Sequence, residues 1–188
     1  MRARDSRSDG LTSANLGYTS NKTAANREGG QMSPTAQELA QCARLYCELI
    51  ESSTKKNNEW LREISRLLPK LHAAVASLNN DHEPADHSLM ADLDARFELF
   101  THLRELLGER DGYWLEFDVA EDGQSMSGSL ADDLTDIYCE LKHGLRLMDG
   151  EPGAAVAGLR EGFRVHWGQH LVDAERHLYE LRARGDLQ

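Results

Sequence analysis

The chain is predicted to be all-α: a helical bundle of about five helices, with a long ordered loop and a disordered N-terminal arm. Three observations carry this. Apolar residues recur at spacings of three and four through most of residues 33–188. Capping residues and breakers bracket those stretches. The 188 residues, 40% apolar and 28% charged, suffice for one domain with a real hydrophobic core.

The arm comes first. Residues 1–32 are rich in Ser, Asn, Thr, Gly and Arg with almost no periodic apolar content, so a disordered tail is expected there and a single all-helical domain over 33–188. The tail carries five basic residues (Arg2, Arg4, Arg7, Lys22, Arg27) and three acidic ones (Asp5, Asp9, Glu28). With a net charge of −11 overall, the remainder therefore carries −13. So acidic a body repels phosphate backbones and anionic membrane surfaces, which excludes nucleic acid and membrane as expected partners. No run of about 18 apolar residues predicts a transmembrane helix, and no apolar stretch follows the N-terminal arginines as a secretory signal requires. Cys42, Cys47 and Cys139 form no CxxC pair, so reduced thiols and a cytoplasmic location are expected.

The first helix starts at Ser33-Pro34, a good N-cap followed by a residue that fits the first helical position. Leu39, Ala43, Tyr46, Leu49 and Ile50 mark its apolar face. A second helix begins near Asn57 or Asn58. Its stripe runs from Trp60 to Leu78 across Pro69, which predicts a kink or two short helices in line. Asn79–His87 reads as a loop. The third helix spans about Ser88–Leu107, with Met90, Leu93, Phe97, Phe100, Leu103 and Leu107 facing inward.

Gly108–Ser129 breaks the pattern. It is full of Gly, Asp and Ser around Tyr113, Trp114 and Phe117, and is too long for a simple bundle connection. A long loop whose aromatics plug the core is expected; the alternative is a lid over a pocket. The fourth helix runs from about Leu130 to Met148. After the short break Asp149–Gly153, the last runs from about Ala154 to Arg184.

Those last two helices carry the candidate chemistry. At about 100° per residue, His170, His177, His166 and Asp173 all fall on one side of the apolar stripe of the last helix. Asp133, Glu140 and Asp136 flank the stripe of the fourth helix on the same rotational side. The short connection makes the two helices antiparallel neighbours, so these flanks face each other across a seam. If the chain turns near Glu151, Asp136 stands level with His166 and Asp133 with His170. Gly144 and Gly162 lie on the same seam, where Gly144 lets the helices approach closely.

Two imidazoles at i, i+4 facing carboxylates can hold a divalent cation, because each group offers a lone pair. The expected ligands are His166, His170, Asp133 and Asp136, with Asp173, Glu140 and His177 as neighbours and zinc, iron or manganese as the metal. The alternative is a hydrogen-bonded clamp, Asp136 to His166, that fixes helix register. A di-iron bundle needs two Glu-x-x-His motifs, and only Glu140–His143 is present. There is no phosphate loop with its lysine and no GxSxG elbow. Cys139 lies on the outer face by the same rotation and reads as an inert surface thiol.

The stretches Asp132–Leu145, DDLTDIYCELKHGL, and Phe163–His170, FRVHWGQH, resemble a bacterial domain of unknown function, the one numbered 5063. Tyr113–Asp118, YWLEFD, is similar to that family too, and the resemblance spans about residues 40–180. The family carries an aromatic-rich run before the Phe163 position; here AVAGLREG stands in its place. The resemblance implies an all-helical cytoplasmic bacterial domain and no particular activity. Two functional expectations stand. One is a non-catalytic accessory or regulatory protein acting through contacts with an unknown protein partner. The other is a metal-binding bundle with the His/Asp site above, extending to a metal-dependent enzyme.

Overall fold

The structure, a computed structural model, describes residues 32–54, 59–78, 92–116 and 125–187. Residues 1–31 of the expected arm, the Asn79–His87 loop, Met90 and Phe117 lie outside the described residues. Among the described residues there are six α-helices and one small hairpin: α1 (Pro34–Glu51), α2 (Glu59–Ala76), α3 (Leu93–Leu107), β1 (Gly112–Glu116), β2 (Ser125–Ser129), α4 (Leu130–Met148), α5 (Pro152–Gly162) and α6 (Gly168–Arg184). None of the described helices is long and apolar enough to cross a membrane.

Helix α4 is the hub: α1, α3, α5 and α6 all pack against it. Its residues Leu130, Leu134, Ile137 and Leu141 are fully buried. The Tyr46 hydroxyl of α1 donates to the Leu134 carbonyl at 2.9 Å, tying the two helices together in the core. Two residues fix where α4 begins. Ser129 caps Asp132 N–H, and the Asp111 carboxylate accepts from Ala131 N–H at 2.7 Å and from the Ser129 hydroxyl at 2.9 Å.

Pro69 does not divide α2, which runs unbroken through it. A proline removes the N–H that would bond the carbonyl four residues earlier, here Ser65. Arg182 of α6 supplies the substitute: its Nη2 lies 3.4 Å from the Ser65 carbonyl and 2.5 Å from the Ser65 hydroxyl.

The stretch expected as a loop is a hairpin. β1 and β2 pair antiparallel, Tyr113 opposite Gly128 and Trp114 opposite Ser127. Tyr113 is buried, but Trp114 is 73% exposed, so the expected plug is Tyr113 and not Trp114. Alternation explains the split, because consecutive strand residues point to opposite faces. Gly128 is required opposite: a Cβ there would overlap the Tyr113 ring.

Helix α3 packs on the core from Leu99 onward, with Leu99 and Phe100 half-buried. Leu103 and Leu107 are buried, whereas Leu93 is 75% and Phe97 65% exposed, against the expectation of a fully inward stripe. At the buried end, His102 Nε2 lies 3.3 Å from the Ser53 carbonyl.

The last predicted helix is α5 and α6 joined end to end by a π turn over Phe163–Trp167. The Gly168 N–H reaches the Phe163 carbonyl five residues back. A Cβ at Gly168 would overlap that oxygen, so glycine makes the turn sterically open. The buried sequence Ala155, Leu159, Gly162 resumes after a step of five at Trp167, Leu171, Ala174, Leu178 and Leu181. A regular helix would have put His166 in the core position. The extra residue puts Trp167 there, its Nε1 donating to the Leu159 carbonyl at 3.0 Å, and moves His166 to the rim. Gly144 receives the Leu159 side chain where α4 and α5 approach.

Candidate metal centre

The site lies where α4 and α6 run alongside each other, with α3 and β1 closing its sides. Asp133, Asp136 and Glu140 occur at i, i+3 and i+7, one stripe of α4 turned toward the seam. All three are buried. Asp136 is buried because α3 covers that side of α4, with Arg96 bonded to its carboxylate.

His170 sits between two of these carboxylates. Its Nδ1 is 2.9 Å from Asp133 Oδ1 and its Nε2 is 3.4 Å from Asp136 Oδ2. His166 Nδ1 is 2.7 Å from Glu140 Oε1. The two imidazoles meet edge to face, with centroids 5.2 Å apart. The expected level pairing of Asp133 with His170 is what the structure contains. The direct partner of His166 is Glu140, one turn further along α4 than the expected Asp136. The π turn acts in that sense: an inserted residue leaves His166 nearer the α4–α5 connection.

Asp136, His166 and His170 each offer one ligand atom, and these atoms lie within 4.8 Å of one another. Asp133 is not in that trio. It faces the back of His170 and accepts from the Tyr113 hydroxyl at 2.5 Å through its other oxygen. Asp173 is half-buried, close enough to add negative charge to Asp133 and Tyr113, and is also outside the trio. His177 turns away: its Nε2 donates to the Arg110 carbonyl at 2.8 Å and its ring stacks on Tyr113 at 4.7 Å.

The electrostatics centre on Asp133 and His170. Burial pushes the Asp133 carboxyl up, outweighing the hydrogen bonds from His170 and Tyr113 that act the other way. The Asp133 hydrogen bond raises His170, and the negative charge of Asp136 adds to it against the opposing effect of burial. Both groups are shifted toward holding a proton, so the pair retains one at a pH where separate groups would not. The Tyr113 hydroxyl is raised by burial and by the same carboxylate, and stays a donor.

Sequence reasoning missed Arg96. Its Nε donates to Asp136 Oδ1 at 2.7 Å, and its Nη2 to Asp136 Oδ2 and Asp132 Oδ1, both at 2.9 Å. The first two bonds form a parallel fork on one carboxylate. The guanidinium is held charged chiefly by that hydrogen bonding. Arg96 lies between Leu93 and Phe97 on α3, and nothing in its own surroundings in the chain says which helix it will meet. Tyr113 reads from the sequence only as a core aromatic. Cys139 is half-buried, not on an open face, and burial pushes its thiol up. Cys42 and Cys47 are buried free thiols, with Cys47 pushed up to about 12 by burial.

The sequence profile of a domain of unknown function (DUF5063) matches residues 31–184. The crystal structure of protein BF1032 from Bacteroides fragilis aligns with a TM-score of 0.65 at 22% identity, covering 79% of this chain and 92% of that one. At that identity the likeness is one of fold. No curated protein matches the chain.

Proposed function

This chain belongs to the family of the domain of unknown function DUF5063, and we propose that it is a divalent-cation-binding protein with Asp136, His166 and His170 as ligands. One observation carries the reading: both histidines present Nδ1 to a buried carboxylate, Asp133 for His170 and Glu140 for His166. A carboxylate that accepts the Nδ1 proton sets the tautomer whose lone pair is on Nε2, and it raises the basicity of that nitrogen. Metal-binding histidines are backed this way. The Tyr113 hydroxyl in turn backs Asp133.

The spacing is compatible with coordination. Tetrahedral ligands about 2.0–2.1 Å from an ion stand about 3.4 Å from one another. His170 Nε2 and Asp136 Oδ2 are 3.4 Å apart. His166 is partly exposed at the rim of the trio. Nitrogen and carboxylate donors without thiolate suit iron(II), manganese(II) or zinc, and two histidines with one carboxylate leave positions for other ligands. Asp133 belongs behind a ligand in this reading, as Glu140 does.

The test is metal analysis of protein purified without added metal, together with melting in chelator and in excess Zn, Mn or Fe(II). At a hundred times Kd, binding contributes about 2.7 kcal/mol, which raises Tm by about 5–10 °C in a chain of this size. The melting point of His170→Ala should not respond. A wild-type melting point indifferent to chelator and to all three metals would end the reading.

A second reading, an accessory protein acting through an unknown protein partner, is supported by the outward apolar side chains Leu93 and Phe97 on α3.

A further inference from the structure

We infer that Arg96 and a divalent cation compete for the Asp136 carboxylate, so that loading the site releases the N-terminal half of α3. The inference rests on the metal reading above and adds a regulator to it.

The two cations would share one oxygen. Arg96 Nη2 lies 2.9 Å from Asp136 Oδ2, and that same oxygen faces His170 Nε2 at 3.4 Å. An ion bonded to it at about 2.1 Å would stand at most about 5 Å from the guanidinium nitrogen. At that separation, in a site screened by α3, α4 and α6, two cations repel strongly. The fork is also geometrically exacting: it needs both Asp136 oxygens, with Nε on Oδ1 at 2.7 Å. An ion that turns the carboxylate toward the histidines breaks it.

What the fork holds is the exposed end of a helix. From Asp92 to Glu98 every side chain is exposed except Arg96. The buried anchors of α3, Leu103 and Leu107, and the His102 contact with Ser53 all lie in its second half. Leu99 and Phe100 pack half-buried against the core at the middle of the helix, so among the described residues it is Arg96, with its bonds to Asp132 and Asp136, that ties residues 93–98 to α4. Removing one of its two carboxylates leaves Asp132, half-exposed, as a single-bond partner. The released turns carry Leu93 and Phe97, so metal loading would change how an apolar surface is presented.

The experiment uses the full chain with ZnCl2 and MnCl2 as probes. Metal affinity is measured by calorimetry for the wild type, Arg96→Gln and Arg96→Lys, and amide hydrogen exchange is followed over residues 93–107. The expected result is at least tenfold tighter binding by Arg96→Gln, with Arg96→Lys close to the wild type because it keeps the charge. In the wild type, metal should speed exchange at 93–100 and leave 103–107 unchanged. Equal or weaker binding by Arg96→Gln would overturn the inference while leaving the metal site standing, since Arg96 would then only support a ligand. Unchanged exchange at 93–100 on loading overturns it as well, and needs no variant. Failure of all three proteins to bind either metal would instead sink the site, and the inference with it.

Discussion

At the scale of single residues, the acid–base behaviour of the seam is set by who faces whom. His170 is raised by its bond to Asp133, with Asp136 assisting. A histidine raised in the folded state contributes stability that is fully present below its unfolded value of about 6.5, and loses it as pH rises through the raised value. Asp133 is raised as well, so its shift acts in the same direction. In metal-free protein, an NMR titration should therefore place the His170 midpoint above the ordinary histidine value, and Asp133→Asn should lower it. The same variant should show a shallower loss of stability between pH 6 and pH 8. A His170 midpoint unmoved by Asp133→Asn would show that Asp136 alone sets it. The Asp133–His170 pairing was legible because both residues sit at readable angles on helices joined by a short turn. Arg96 was not, because a lone arginine on a third helix has no local signal naming the carboxylate it will meet.

At the scale of elements, two departures from regular helix have identifiable chemical causes. The π turn depends on the missing side chain at Gly168. Gly168→Ala should destabilise the fold by about 1–3 kcal/mol through overpacking, measured by urea unfolding. It should also shift the His166 resonances, because the turn sets that ring's place. Wild-type stability in Gly168→Ala would mean the turn closes without strain. Pro69 strands the Ser65 carbonyl, and Arg182 answers it from α6. Arg182→Ala should cost about 1 kcal/mol, and less in a Pro69→Ala background where the helix supplies its own N–H. A double-mutant cycle with no coupling would show that the arginine serves only the Ser65 hydroxyl. Helix α4 was legible to its ends, since a clean apolar stripe runs from Leu130 to Met148. The π turn could be seen only as a step of five in the apolar spacing, at Gly162 to Trp167, and an ideal wheel averages that away.

At the scale of the whole molecule, burial is uneven, and that decides which substitutions matter. Leu134 is wholly buried on the helix that four others pack against. Leu134→Ala should cost about 2–5 kcal/mol, whereas Phe97→Ala, on the exposed half of α3, should change stability by no more than about 0.5 kcal/mol. Denaturant midpoints for the pair check both, and a large loss at Phe97 would mean that α3 docks more fully than the structure shows. By itself the sequence determined the all-helical class, the start of α1, the bounds of α4, the antiparallel pairing of the last two rods and the meeting of imidazoles with acids along them. These rest on short-range periodicity and short connections, which act within one or two elements. Only the tertiary structure decided that α3 covers Asp136, that Arg96 forks onto it, and that the hairpin brings Tyr113 to Asp133. Each of those contacts joins residues 20 or more apart in the chain. Its partners are chosen by how whole elements pack against α4, and no spacing along the chain encodes that choice.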